Sequence, residues 1–368
     1  MATKMGSKLG FSNEQLANLA GTAVMHDNAL TEYIAVKKSS DKIDDVPMDI
    51  LTAHCIMGER NIESLSFFPH KKNAVKYHHE NADGSGPFHL SPSDTPIEAQ
   101  LIHLADQIDI RFKLGKVNEE RYQDILRWLR SQKHILFSSD AVDLFEQAVS
   151  YADLLQIEGD QASSILVSTL SGIPVDYSRE DVIALGSLFA KIVDFKSHFT
   201  CDHSIGIARK AEMMGKYYDE SPETCMKLYL AGALHDVGKL KTPPEILEKP
   251  DKLTPEEYEI MKEHAYYSWV ILKDLDNIPD VVSWACLHHE KLDGSGYPFK
   301  KTAAELNKYE RLLACIDIYQ ALTEKRPYKN GLTHDASINI MRHMAENGKI
   351  DPDITEDIGH CFSPQTEA

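Results

Sequence analysis

The string HHENADGSGPF at 78–88 is echoed by HHEKLDGSGYPF at 288–299. The echo extends outward on both sides. Met25-His26-Asp27 matches Leu234-His235-Asp236, His54 matches His264, and Ala105-Asp106 matches Ile316-Asp317. The intervals agree as well. Between the His-Asp pair and the next histidine lie 26 residues in the first half and 27 in the second. The next gap is 23 residues in both, and the last is 26 against 27. Ser12 precedes His26 by 14 residues, as Ser221 precedes His235. Chance does not keep so many intervals in step. The spacing predicts a duplicated unit whose first copy has decayed, so the chain must build one architecture twice.

That architecture reads as helical. Runs of alternating strand residues are absent, and most segments have the period of amphipathic helices. Ser221-Pro222 has the pattern of an N-cap followed by proline in the first turn. Thr254-Pro255-Glu256-Glu257 is a capping box with the same proline placement, and Ser178 with Asp181 is a weaker one. The expected fold is all-α, two tandem HD-type helical domains. Gly and Pro in Ser171-Gly172-Ile173-Pro174 interrupt the pattern. The boundary is therefore placed there, with domains at 1–170 and 171–368 and further helix over 140–170 linking them.

Among 368 residues the net charge is −18. So acidic a chain lacks the broad basic surface that a nucleic-acid polymer needs. A small anionic ligand remains compatible, because local cations can outweigh the global field. No stretch approaches the length of a membrane span, and the N-terminal residues lack the apolar core of a signal peptide. The six cysteines are scattered singly, without a CxxC pair, which favours reduced thiols in the cytoplasm.

The second copy gathers His203, His235, Asp236, His264, His288, His289 and Asp317. Imidazole and carboxylate together suit divalent iron, manganese, nickel or zinc. Seven such groups exceed the need of one ion. A carboxylate can bridge two, and Asp236 beside His235 is the natural bridge. Two ions a few ångströms apart can activate water and stabilise a phosphoryl oxygen.

These residues resemble the HD-GYP family, a branch of the HD superfamily. The resemblance runs from about 185 to 345 and includes LHDVGK at 234–239, KPDKLTPEEYEIMKEH at 249–264, HHEKLDGSGYP at 288–298 and LTEKRPYK at 322–329. It implies an all-helical, metal-dependent phosphodiesterase acting on a cyclic dinucleotide, cyclic di-GMP or 3′,3′-cGAMP. Linear dinucleotide is the expected product, with mononucleotide if a second cleavage follows. Two metals are implied, iron or manganese first, nickel or zinc as alternatives. His203, His235, Asp236 and Asp317 would hold one, and Asp236, His264, His288 and His289 the other. Lys239 would contact the scissile phosphate or assist the leaving group, giving catalytic roles to Asp236 and Lys239. Arg326 and Lys329 resemble the family's phosphate-contacting cations. Gly296 would let backbone approach a ligand, and Tyr297 would contact substrate or pack the loop onto the domain. Members with three metals carry a glutamate four residues before the first histidine. Phe199 stands there in this chain, so two metals are expected.

In the first copy His26, Asp27, His54, His78, His79 and Asp106 remain. Leu30 replaces the lysine, the loop reads Gly86-Pro87-Phe88, and no RPYK string follows. The counterpart of His203 would fall ahead of Met1. This copy is expected to be non-catalytic, although Asp27, His54, His78 and His79 could still hold a vestigial metal. A homodimer is compatible with the sequence. The rival readings are a non-catalytic cyclic-dinucleotide receptor and a different HD-type nucleotide phosphohydrolase.

Overall fold

A computed structural model of the chain describes residues 1–30, 47–114, 117–157, 161–170, 178–196, 203–249, 251–325 and 330–363. Helix starts follow the side chains that can satisfy free N–H groups. Ser12 accepts from the Gln15 N–H while the Gln15 side chain accepts from the Ser12 N–H, a closed capping box at Asn13–Val24. Ser178 with Asp181 and Thr254 with Glu257 form the same pair of bonds, as expected. Ser221 accepts from the Thr224 N–H, with Pro222 in the first turn. Each such cap is worth about 1 kcal/mol.

Contacts divide the chain into two compact units, residues 1–177 and 178–368. The sequence reading draws its line slightly earlier. The first unit contains α1 (Ala2–Lys8), α2 (Asn13–Val24), α3 (Met48–Glu63), α4 (Ile97–Phe112), α5 (Glu119–Ser131), α6 (Ser139–Ala148), α7 (Tyr151–Leu155) and α8 (Gln161–Leu170). Its core is built from fully buried Met5, Leu19, Leu101, Leu104, Ile125, Leu129 and Phe145.

The second unit contains α9 (Arg179–Asp194), α10 (His203–Tyr217), α11 (Pro222–Leu234), a 3-10 turn (Val237–Lys241), α12 (Pro244–Leu247), α13 (Pro255–Leu272), α14 (Pro279–Cys286), α15 (Lys308–Thr323), α16 (His334–Glu346) and α17 (Pro352–Cys361). Ile207, Met214, Leu228, Val281, Leu312, Ile316 and Met341 make its core. Burying each such side chain contributes about 1.5–3 kcal/mol.

No strand occurs among the described residues, which hold two isolated bridges, Lys133 with Phe137 and Asp293 with Thr302. The fold is all-α, as the sequence predicts. Among the described residues no helix is long and apolar enough to cross a membrane.

Candidate metal centre

In the second unit, α11 ends at Leu234 and delivers His235 and Asp236 into the interior, where both are buried. The 3-10 turn that follows lies against α13. The Gly238 N–H donates to Ser268 Oγ (2.9 Å), and Ser268 Oγ donates to the His235 carbonyl (2.8 Å). A Cβ on Gly238 would stand 1.9 Å from the His264 carbonyl oxygen. Only glycine permits that approach, and it sets Asp236 beside His264. Gly238→Ala should therefore push the turn off α13 and cost about 1–3 kcal/mol, read as a lower midpoint in urea unfolding.

Lys196 closes the turn from the other side. Its Nζ donates to the carbonyls of Lys239 (3.1 Å), Leu240 (2.6 Å) and Thr242 (3.0 Å). Asp194, also buried, accepts from the Ser204 N–H (3.0 Å) and Oγ (2.7 Å) and fixes the start of α10 next to His203.

Three of the histidines are oriented by their own helical turn. Nδ1 of His235 bonds the Gly232 carbonyl (2.8 Å), that of His264 the Met261 carbonyl (2.6 Å) and that of His288 the Ala285 carbonyl (2.6 Å). A carbonyl can only accept, so Nδ1 carries the proton and Nε2 offers its lone pair.

The offered atoms converge on Asp236. Its Oδ2 lies 3.0 Å from His235 Nε2 and also meets Lys239 Nζ, while its Oδ1 lies 3.3 Å from His264 Nε2 and 3.9 Å from His288 Nε2. Asp317 Oδ1 is 3.4 Å from His203 Nε2, and Oδ2 is 3.7 Å from His289 Nδ1. All seven expected ligands thus come together, in overlapping groups that could hold metal: His203 with His235 and Asp317, His235 with Asp236 and His288, and His264 with His288 and His289. Asp236 Oδ1, His264 Nε2 and His288 Nε2 are buried without a hydrogen-bond partner. Leaving buried polar atoms unpaired costs about 1–3 kcal/mol each, whereas a cation would satisfy all three. The donor set fits divalent metal.

The electrostatics agree. Burial opposes charge on Asp236, but His235 and Lys239 beside it hold its carboxyl well below the usual carboxylate range. Burial likewise opposes charge on Asp317, and the bond from His203 overcomes it. Burial pushes His264 and His288 down and takes His289 to about 3, so these rings are neutral, the state in which imidazole ligates. His203 differs. Despite burial, Asp317 and Glu324 raise it to about 9, so a cation there would take the place of its proton.

Several of these contributors are not legible in the motif alone. Glu324 Oε2 bonds His203 Nδ1 at 3.0 Å and so turns Nε2 toward Asp317. It lies inside the LTEKRPYK string, which was its only signal. Lys196, Asp194 and Ser268 had none. Glu324→Gln should lower metal affinity about 10–100-fold, measurable by titrating the stripped protein with Mn.

The loop after the histidines is held by Glu290, whose carboxylate accepts from the N–H groups of Phe299 (2.7 Å) and Lys301 (2.9 Å). Gly296 is buried against the chain's own backbone: a Cβ would lie 2.4 Å from Lys291 N. On that side it packs against residues 289–291. Tyr297 packs on His289, ring centroids 4.7 Å apart, with His264 at 6.4 Å. Phe199, Arg326 and Lys329 lie outside the described residues.

The first unit repeats this geometry. Glu80 accepts from Phe88 and Leu90 N–H, both at 2.6 Å. Asp83 and Asp293 each accept from the serine N–H two residues on, at 2.9 and 3.0 Å. Gly84 and Gly294 both take positive φ, 78° and 75°. The second loop is one residue longer, and Tyr297 is the addition. His26, Asp27, His54, His78 and His79 also gather.

Residues 187–354 match the family model described as HD domain. Along nearly the whole chain there is similarity to 3′3′-cGAMP-specific phosphodiesterase 1 of Vibrio cholerae, 29% identical over 364 residues, covering 96% of this chain and 83% of that one. 3′3′-cGAMP-specific phosphodiesterase 3 of the same organism is 28% identical, with 88% and 68% covered. A cyclic di-GMP phosphodiesterase of Pseudomonas aeruginosa is 35% identical over 184 residues, 49% of this chain and 44% of the relative. Among solved structures, a cyclic GMP-AMP specific phosphodiesterase of V. cholerae superposes with a TM-score of 0.64 at 22% identity, covering 99% of this chain and 91% of that one, a likeness of fold. The match to the HD domain model thus falls within the second unit, with the His-His-Glu and Gly-Tyr-Pro strings seated at the site just described.

Proposed function

We propose that this chain is a metal-dependent phosphodiesterase that hydrolyses a cyclic dinucleotide, with 3′,3′-cGAMP as the substrate. One observation carries the reading: Asp236 turns one oxygen toward His235 and the other toward His264 and His288, with Lys239 on the same carboxylate. The choice of 3′,3′-cGAMP over cyclic di-GMP is supported by the relatives that span most of this chain, whose names specify it. The cyclic di-GMP relative spans about half.

His203, His235, Asp236 and Asp317 would hold one divalent ion, and Asp236, His264, His288 and His289 a second, iron or manganese by donor chemistry. When bound, two such ions supply an activated water and positive charge against the phosphoryl oxygens. The chain's own residues do the rest. Asp236 fixes the separation of the two ligand groups. Lys239 brings an ammonium that burial opposes and Asp236 keeps charged, placed to offset the charge that grows on the leaving ribose oxygen. Arg326 and Lys329 are proposed to bind the outer phosphate. The HD domain works in the cytoplasm, a placement supported by the free thiols of Cys55, Cys225, Cys286, Cys315 and Cys361. The first unit is a degenerate, non-catalytic copy, a reading supported by the shared loop geometry and by Leu30 at the position of Lys239.

Product analysis by chromatography tests the proposal, using both dinucleotides under Mn and under anaerobic Fe. Linear dinucleotide from 3′,3′-cGAMP is the expected result. Faster turnover of cyclic di-GMP would overturn the substrate, and calorimetric binding without product would make the protein a receptor.

A further inference from the structure

The first unit contains a second histidine-rich interior that the proposed hydrolysis does not use. His26 and Asp27 follow the end of α2, His54 lies in α3, and His78 and His79 lie in the turn ahead of the loop at 80–90. His54 and His78 have no exposed surface. The Nδ1 atoms of His26 and His78 bond the carbonyls of Ala23 (2.7 Å) and Val75 (2.5 Å). His78 Nε2 therefore faces inward as an acceptor, as in the second unit, while His26 Nε2 lies between Asp27 (3.3 Å) and Asp106 (3.5 Å).

Asp27 again offers one oxygen to each side. Oδ1 lies 3.4 Å from His78 Nε2 and 3.6 Å from His54 Nε2, and Oδ2 lies 3.3 Å from His26 Nε2. The His79 ring is 4.0 Å from His78 and 5.0 Å from His54, centroid to centroid. These N···O separations exceed good hydrogen bonds, about 2.7–3.2 Å. They suit two donors sharing one ion: ligand distances of about 2.1 Å at tetrahedral or octahedral angles put donors about 3.0–3.4 Å apart.

The polar accounting points the same way. His26 Nε2, Asp27 Oδ1, His54 Nδ1 and His78 Nε2 are buried without a hydrogen-bond partner. At about 1–3 kcal/mol for each, a relic with nothing bound would be a heavy defect for a unit of this size. The proposed ion would satisfy two of them, Asp27 Oδ1 and His78 Nε2.

The unit also differs from its counterpart in ways that bear on what the ion does. Leu30 stands where the second unit has Lys239, so no ammonium faces the centre from that position. Cys55 Sγ lies 3.8 Å from His54 Nε2, and the corresponding residue of the second unit is Ala265. Burial keeps that thiol protonated and outside the ligand set, and a four-ligand set of imidazole and carboxylate suits tetrahedral zinc.

We propose that the first unit is itself a metal-binding module, in which Asp27, His54, His78 and His79 hold one divalent transition-metal ion, best matched by zinc, in a non-catalytic centre. The ion ties α2, α3 and the segment at 73–81 together. Its test reads metal, not turnover, so it stands or falls apart from the hydrolysis proposed above.

The full chain is stripped with chelator, dialysed against zinc and counted by mass spectrometry of the metal. Three variants are compared with the parent. The Asp27→Asn/His79→Gln chain should carry about one zinc fewer than the parent, with the helicity of the stripped parent by circular dichroism. Asp27 is about one-third exposed, and the buried His54 and His78 stay in place, so this change leaves the packing intact. A His264→Ala chain, altered only in the second unit, should keep that ion and gain several degrees in melting temperature when zinc is added. The triple variant should show a clearly smaller gain, the part that the remaining ligands of the second unit supply. An unchanged zinc count in the double variant, or equal thermal gains in the His264→Ala and triple chains, would overturn the proposal.

Discussion

Asp236→Ala should reduce turnover of the cyclic dinucleotide by about three orders of magnitude or more while leaving the helices in place. The size follows from position. Asp236 meets histidines of both groups, His235 on one side and His264 and His288 on the other, and it also carries Lys239. Removing it weakens both proposed metal positions together and releases the ammonium. Metal stabilisation of a phosphoryl transition state is worth several kcal/mol, and about 4 kcal/mol is about a thousandfold in rate. The measurement is kcat/KM by product chromatography, with circular dichroism as the check on folding. Metal content should fall in parallel. Retained turnover in a chain that no longer binds metal would remove the mechanism altogether.

Lys239→Met should separate charge from ligation. The variant keeps the length of the side chain and all seven metal-facing residues. It loses the cation beside Asp236. The expected result is a fall in kcat of about 10²–10³, the usual cost of deleting a group that meets developing charge, with KM and metal content changed much less. A matching loss of metal would mean that the lysine holds Asp236 in place instead of acting on the substrate. The two outcomes are distinguished by counting metal in the same preparations used for kinetics.

Much of this site was legible because histidine and aspartate at repeated intervals have few uses other than ligation, and two echoes of one spacing restrict it further. His235, His264 and His288 needed no structure to be grouped. The helical fold was legible for a different reason: Ser178, Ser221 and Thr254 each announce a helix start through local bonds that depend on three or four neighbouring residues. What escaped is what acts across the fold. Lys196 binds three carbonyls, and a carbonyl is present at every position, so nothing in the sequence marks which ones are met. Glu324 reaches His203 across 121 residues. Gly296 packs on the chain's own backbone at 289–291 as well, a contact that no motif states.

The bonds from Nδ1 to the carbonyl three residues back have a consequence for the cell. In His235, His264 and His288 the ring is held by a carbonyl of the helix that it follows or lies in. An ion entering the second unit finds the donors already aimed and freezes few rotations to bind them. An ion leaving does not let the rings swing away. Such a cage is a lasting mould, and one ion can follow another through it without any part of the chain refolding. Neutral imidazoles and carboxylates accept most of the first transition row. On the function proposed above, the ion carried at a given moment would record what the surroundings supply, and the rate of second-messenger breakdown would be tied to the cell's metal nutrition.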